Sequence, residues 1–160
     1  MGTTVPAVLK QLAAQLRLRT ALIGPPQVAI HTVDLGDWRD AEAIVFGQVQ
    51  APRAWLGLRT LGSLPSREDA VLSGYIFTEL AGDSDANADT AHDRAGLLLD
   101  ELVAQVQTDP NVNGAIPAAV ARIPPLLTTA TWSTWKADQD GVGISRVRID
   151  WQLTWQAKAT

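Results

Sequence analysis

No cysteine occurs among the 160 residues, which removes disulfides, thiolate metal sites and thiol catalysis together and leaves the fold to stand on packing alone. Histidine is nearly as scarce: with His31 and His92 the only two, no three-ligand metal set suggests itself. Positive charge is in deficit, 13 Lys and Arg against 17 Asp and Glu for a net charge of -4. That balance, with a pI near 5.0, argues against a polyanion as the main partner, because a nucleic-acid binder normally carries a basic patch. No run of 18 apolar residues exists, and residues 1–12 lack both a basic leader and an unbroken apolar stretch, so neither a membrane span nor a secretory signal is expected. Gly2 follows Met1, but Pro6 stands where a myristoylation signal wants Ser or Thr. A cytoplasmic origin is the default.

What the chain does have is ample apolar material, 46% hydrophobic residues against 19% charged, enough for one packed domain over residues 1–160. Val5, Val8, Leu9, Leu12 and Leu16 recur at helical spacing after Thr3 and Thr4 as caps, predicting a first helix to about Leu22, where Gly24, Pro25 and Pro26 stop it. Two strands follow, "QVAIHTVD" and "AIVFGQVQ", placed to pair as a hairpin. Residues 52–67 read as a long loop, too punctuated by Gly and Pro for a regular element and unusually apolar. A strand over about residues 69–81 places Tyr75 and Phe77 on one side and Leu72, Ile76 and Leu80 on the other, so both of its faces are expected to be covered.

The acidic link "GDSDANAD" caps a second helix whose apolar face is Ala91, Ala95, Leu98, Leu99, Leu102, Val103 and Val106, with Asp93, Arg94, Asp100, Glu101 and Gln105 turned away. Asp109-Pro110 ends it. After a short turn or helix at residues 117–122, two strands over about 126–136 and 144–158 are joined by the loop "ADQDGVG". In the last strand Val147, Ile149, Trp151, Leu153, Trp155 and Ala157 alternate with Arg146, Arg148, Asp150, Gln152, Thr154 and Gln156. The pattern predicts an α+β fold: an antiparallel or mixed sheet of about five strands with two main helices on one side, Trp151 and Trp155 in the core between them.

Residues for chemistry are few. His31 and Asp34 can be written as an acid-base pair, and His92-Asp93 reads as a solvated helix face. "GVGISR" lies between hairpin strands and opens no helix, so its glycines are turn residues, and no serine stands in a nucleophile elbow.

The ordered set of Leu61-Gly62, then Arg67, Glu68 and Asp69 entering the middle strand, then a helix ending at Asp109-Pro110 with Gly114 in the following turn, resembles the tail terminator and tail completion proteins of long-tailed bacteriophages, the actinobacteriophage versions above all. The likeness spans about residues 27–157 and lies in order and spacing, since each motif alone is a turn or cap signal. The chain departs from it with Asn113-Gly114 where a Gly pair is frequent, and with the Trp-rich "TWSTW" strand.

The resemblance implies a structural virion protein with no cofactor, no metal and no catalytic residue. Its copies would form a ring, taken as a hexamer, that caps the tail tube and ends its polymerisation. Its partners would be itself, the major tail tube protein and a head-tail connector or stopper. DNA would pass without specific binding, consistent with the acidic balance, and no membrane is involved. The protein would sit at the neck end of the virion tail after assembly in the host cytoplasm. The alternatives are another connector of the neck, a stopper or head completion protein, and, less favoured, a small hydrolase using His31 and Asp34.

Two groups are expected at the partner interface. Arg146 and Arg148 would meet acidic groups of a neighbouring subunit. In the loop, Trp55, Leu56, Leu58, Leu61 and Leu64, followed by Arg67, would be held by a partner, because a free aqueous loop gains nothing by exposing so much apolar surface.

Overall fold

The structure, a computed structural model, describes residues 3–24, 27–34, 36, 40–51, 53–55, 66–117 and 121–159. Helix α1 spans Val5–Arg17 with Pro6 in its first turn, and Val8, Leu12, Ala13 and Leu16 bury one stripe at the expected spacing. Thr4 is its N-cap residue, yet its side chain makes no cap bond. Its hydroxyl instead accepts from the Trp155 indole at 2.9 Å and donates to Glu68. The helix expected to reach Leu22 breaks after Arg17, and a short helix α2, Thr20–Ile23, follows an extended Arg19. The break lets Arg19 bond Glu101 and Gln105 while Leu22 enters the core, tertiary contacts overriding helical propensity.

The sheet holds β1 (Ala29–His31), β2 (Glu42–Gln50), β3 (Arg53–Trp55), β4 (Ser66–Ala81), β5 (Ala121–Gln139) and β6 (Val142–Ala159), in the order β1-β2-β4-β6-β5 with β3 also on β4. Three expectations are corrected here. The first two strands do not form a hairpin: β1 runs parallel to β2, Ala29 opposite Ala43 and His31 opposite Val45. Parallel neighbours normally need a long crossover, but a strand of 3 residues is only ~10 Å long, so residues 32–41 suffice for the return. The stretch 52–67, expected to be loop throughout, has strand at both described ends, because Arg53, Ala54 and Trp55 pair with Glu68, Arg67 and Ser66 and carry the β2 side of the ladder onward. The final hairpin closes on two residues, Asp140 and Gly141 with φ +53° and +77°, the Asp-Gly turn whose left-handed backbone matches strand twist. Strand β5 accordingly extends at both ends, starting at Ala121 within the stretch expected to be a turn or helix.

Helix α3, Asp85–Thr108, is capped by the Ser84 hydroxyl, which accepts from the Asn87 N–H, and stops before Pro110. Its buried residues are Ala91, Ala95, Leu98, Leu102, Val106 and, against expectation, Gln105, whose Oε1 accepts from Arg19. Both long helices lie on one face of the sheet, their apolar stripes sharing a core with Ile44, Phe46, Leu72, Ile76, Ile149, Trp151, Leu153 and Trp155. Trp151 and Trp155 are 1% and 2% exposed, as the alternation in β6 predicts. A smaller cluster of Ala43, Val45, Tyr75 and Phe77 occupies the opposite face. The fold is α+β, a mixed sheet with its helices on one side.

Candidate assembly surfaces

The face away from the helices is built by the outward residues of β4, β5 and β6. Cross-strand register sets Arg148 opposite Phe77 and Arg146 opposite Glu79. The Arg146 Nε donates to Glu79 at 2.8 Å, and the Arg148 Nη2 donates to Asp150 at 2.7 Å. The Arg148 guanidinium also lies 4.2 Å from the Tyr75 ring centre, while the Tyr75 hydroxyl donates to Asp34 at 3.0 Å. Phe77 meets Trp135 at 6.4 Å. Both arginines therefore have partners in their own chain, joined to it by ion-pair and cation-π contacts that are each modest in strength.

At one end of the sheet β3 pairs with the start of β4, Arg53 opposite Glu68 and Ala54 opposite Arg67. Trp55 ends β3, its backbone opposite Ser66. Leu56, Leu58, Leu61 and Leu64 lie outside the described residues. Arg67 points outward and bonds Asp69 at 3.0 Å. Glu68, between them, points inward and is 1% exposed; its Oε1 accepts from the Thr4 N–H at 3.0 Å, tying the start of α1 to β4. A sequence signal for this anchor exists: Glu68 has the parity of Ala70, Leu72 and Ile76, so a carboxylate there must be buried and bonded.

The pair His31 and Asp34 is not brought together. The His31 Nε2 lies 2.7 Å from Asp40, and Asp34 accepts from Tyr75 and the Gly36 N–H. His92 is exposed, as expected, but its ring packs at a tilt against Trp132, the centroids 4.5 Å apart. Among the described residues no group of three His, Asp or Glu could hold a metal ion, and no helix is long and apolar enough to cross a membrane.

One polar feature escaped the sequence reading. Glu42, 7% exposed at the start of β2, accepts from the Arg94 Nε at 2.8 and 2.9 Å, at the base of a cleft of about 340 Å³ lined also by Thr78, Glu79, Leu80, Thr90 and Ala91. The hydrogen bond to Glu42 holds the Arg94 pKa above its ordinary value, outweighing the opposing effect of burial. Such a pair fastens helix to sheet; with each group occupied by the other, neither is placed to move a proton. Helical periodicity marks Arg94 as turned away from the apolar stripe but does not reveal that the edge of β2 comes up to meet it.

No protein-family model matches the chain, and no curated protein is detectably similar to it. Among solved structures, the fold is similar to a chain in the virion of a native gene transfer agent particle, at 14% sequence identity over 99% of this chain and 100% of that one, with a TM-score of 0.47.

Proposed function

We propose that this protein is a structural component of a phage-like virion, without enzymatic activity, whose copies form a ring at the neck end of the tail, cap the tail tube and present the surface that the head joins. The reading starts from the order of motifs running from Leu61-Gly62 to Gly114. The observation that carries it is the placement of the Arg67-Glu68-Asp69 segment. Buried Glu68 locks the start of β4 to the body of the subunit, and β3 pairs with that start, so the described strands on either side of residues 56–65 in the sequence are tied to each other and to α1.

Apolar residues that lie in sequence between two paired strands are suited to docking, because the flanking strands are already fixed and less entropy is lost when a partner covers what lies between them. Trp55, Leu56, Leu58, Leu61 and Leu64 would then contact the neighbouring subunit or the last ring of tube protein, with Arg67 beside them. Arg146 and Arg148 would supply a second contact on the open face, exchanging or sharing Glu79 and Asp150 with acidic groups of a neighbour. The ring, taken as a hexamer, would pass DNA without gripping it, in keeping with the net charge of -4.

Negative-stain electron microscopy of the purified protein, with and without tail tubes, tests the reading. Rings that seat on tube ends and arrest their growth are expected. Rings that bind only the portal side of a head would make the protein a stopper or head completion protein. A monomer that ignores both would refute the assignment.

A further inference from the structure

Sheets expose two edges, and one edge of this sheet is blunted. Strand β1 has only 3 residues, β2 carries a register shift between Phe46 and Val49, and Pro52 follows it. Each of these is a standard obstacle to adding a strand. The other edge is β5, and among the described residues no segment pairs with it on the side away from β6. Its first part is obstructed in the same manner, by Pro124, Pro125 and three register shifts that end at Thr129. From Thr129 onward the ladder is regular to Gln139. Within it, residues 128–134, "TTATWST", are all exposed, and no charged residue occurs anywhere in 123–135. A regular, uncharged, Thr- and Trp-rich edge is a template for strand addition, with none of the usual protection.

The chemistry of that edge selects its occupant. In an antiparallel self-pair about a two-fold axis, residues of equal parity face each other, so any charge would be brought close to its own copy and repelled. This stretch has none to repel. Thr131 would meet its own copy and Thr129 would face Ser133 on the open side, where hydroxyl pairs are favourable, and on the helix side the indole of Trp132 would find the small Ala130 directly opposite. The blunted edge of a second copy offers no such match. We infer that two copies of this chain join their β5 edges antiparallel over residues 128–134, making one continuous sheet across the pair. A two-fold contact closes at the dimer. It is therefore separate from any head-to-tail ring contact and does not depend on the neck-ring reading.

Sedimentation velocity over a concentration series tests the inference with charge variants. Thr131→Lys with Ser133→Lys, and Thr131→Glu with Ser133→Glu, should each weaken the dimer by on the order of 100-fold, since residue 131 meets its own copy on the axis and the diagonal contact between 131 and 133 occurs twice. Mixing the two variants should restore a dimer, which mere loss of fold cannot do. The single Thr131→Lys and Thr131→Glu proteins serve the same test should a double variant fail to fold. A monomeric wild-type protein overturns the inference, even if it takes up a strand from another protein. So does a dimer indifferent to the substitutions, or variants that fail to associate when mixed. Loss of the dimer in the Lys variants with rings retained supports the edge contact and leaves the neck-ring reading standing, whereas loss of rings without loss of the dimer refutes the edge contact and not that reading.

Discussion

Trp151→Ala is expected to be the most damaging single truncation in the core. The indole is 1% exposed, meets Phe46 edge to face at 5.7 Å, and lies over Gly74 on the neighbouring strand. Gly74 is what makes the room: a Cβ there would fall 2.4 Å from the indole Cζ2 and 2.3 Å from the Val45 carbonyl oxygen. Removing the ring leaves a void bounded by β-sheet backbone that is tied on both sides and cannot collapse. The cost should therefore sit at the upper part of the ~3 to 5 kcal/mol range for large-to-small core changes. For a domain of this size that corresponds to a fall in Tm of roughly 6 to 20 °C.

The indole N–H has no acceptor among the described residues, so Trp151→Phe should be much milder, within about 1.5 kcal/mol, because lost area is offset by removal of a buried unpaired donor. Gly74→Ala should cost about 1 to 3 kcal/mol or more by overpacking. In a Trp151→Ala background part of that cost should vanish, a coupling a double-mutant cycle would register. Thermal and urea melts followed by far-ultraviolet circular dichroism give these numbers. An unchanged melting temperature for Trp151→Ala, or strict additivity with Gly74→Ala, would refute the account of the core.

Replacing Trp55, Leu58 and Leu61 together with serine should leave a stable, soluble subunit that no longer forms rings or arrests tube growth in an assembly assay; early melting or aggregation with assembly retained would make that segment a cover for its own domain. Charge reversal at Arg146 and Arg148 should weaken the ring, seen as smaller species at matched salt in sedimentation, while costing the subunit about 1 to 2 kcal/mol at each position, since the part-buried pairs with Glu79 and Asp150 are replaced by like-charge contacts. Arg94→Ala should destabilise by about 3 to 5 kcal/mol in melts, because Glu42 is left buried without its counter-ion, whereas Glu42→Leu with Arg94→Met should cost far less.

The sequence by itself determined what local periodicity can carry. Alternation in β6 placed Trp151 and Trp155 in the core, the apolar stripe laid α3 on the sheet, and Asp109-Pro110 set where that helix stops, because each follows from the geometry of one element and the chemistry of its own residues. The two-sided burial of β4 was legible in the same manner, from Tyr75 and Phe77 standing opposite Ile76. Tertiary structure alone decided which groups meet across distance. It set β1 parallel to β2, drew Arg53–Trp55 into the β4 ladder despite Pro52, and broke the first helix so that Arg19 could bond Glu101 and Gln105. It also separated His31 from Asp34 and gave Arg146 and Arg148 partners within their own chain. The physical reason is common to all of these. Strand partnership and ion pairing are settled by which surfaces are left after the core has closed, and the free energy of that closure belongs to no single segment of the chain.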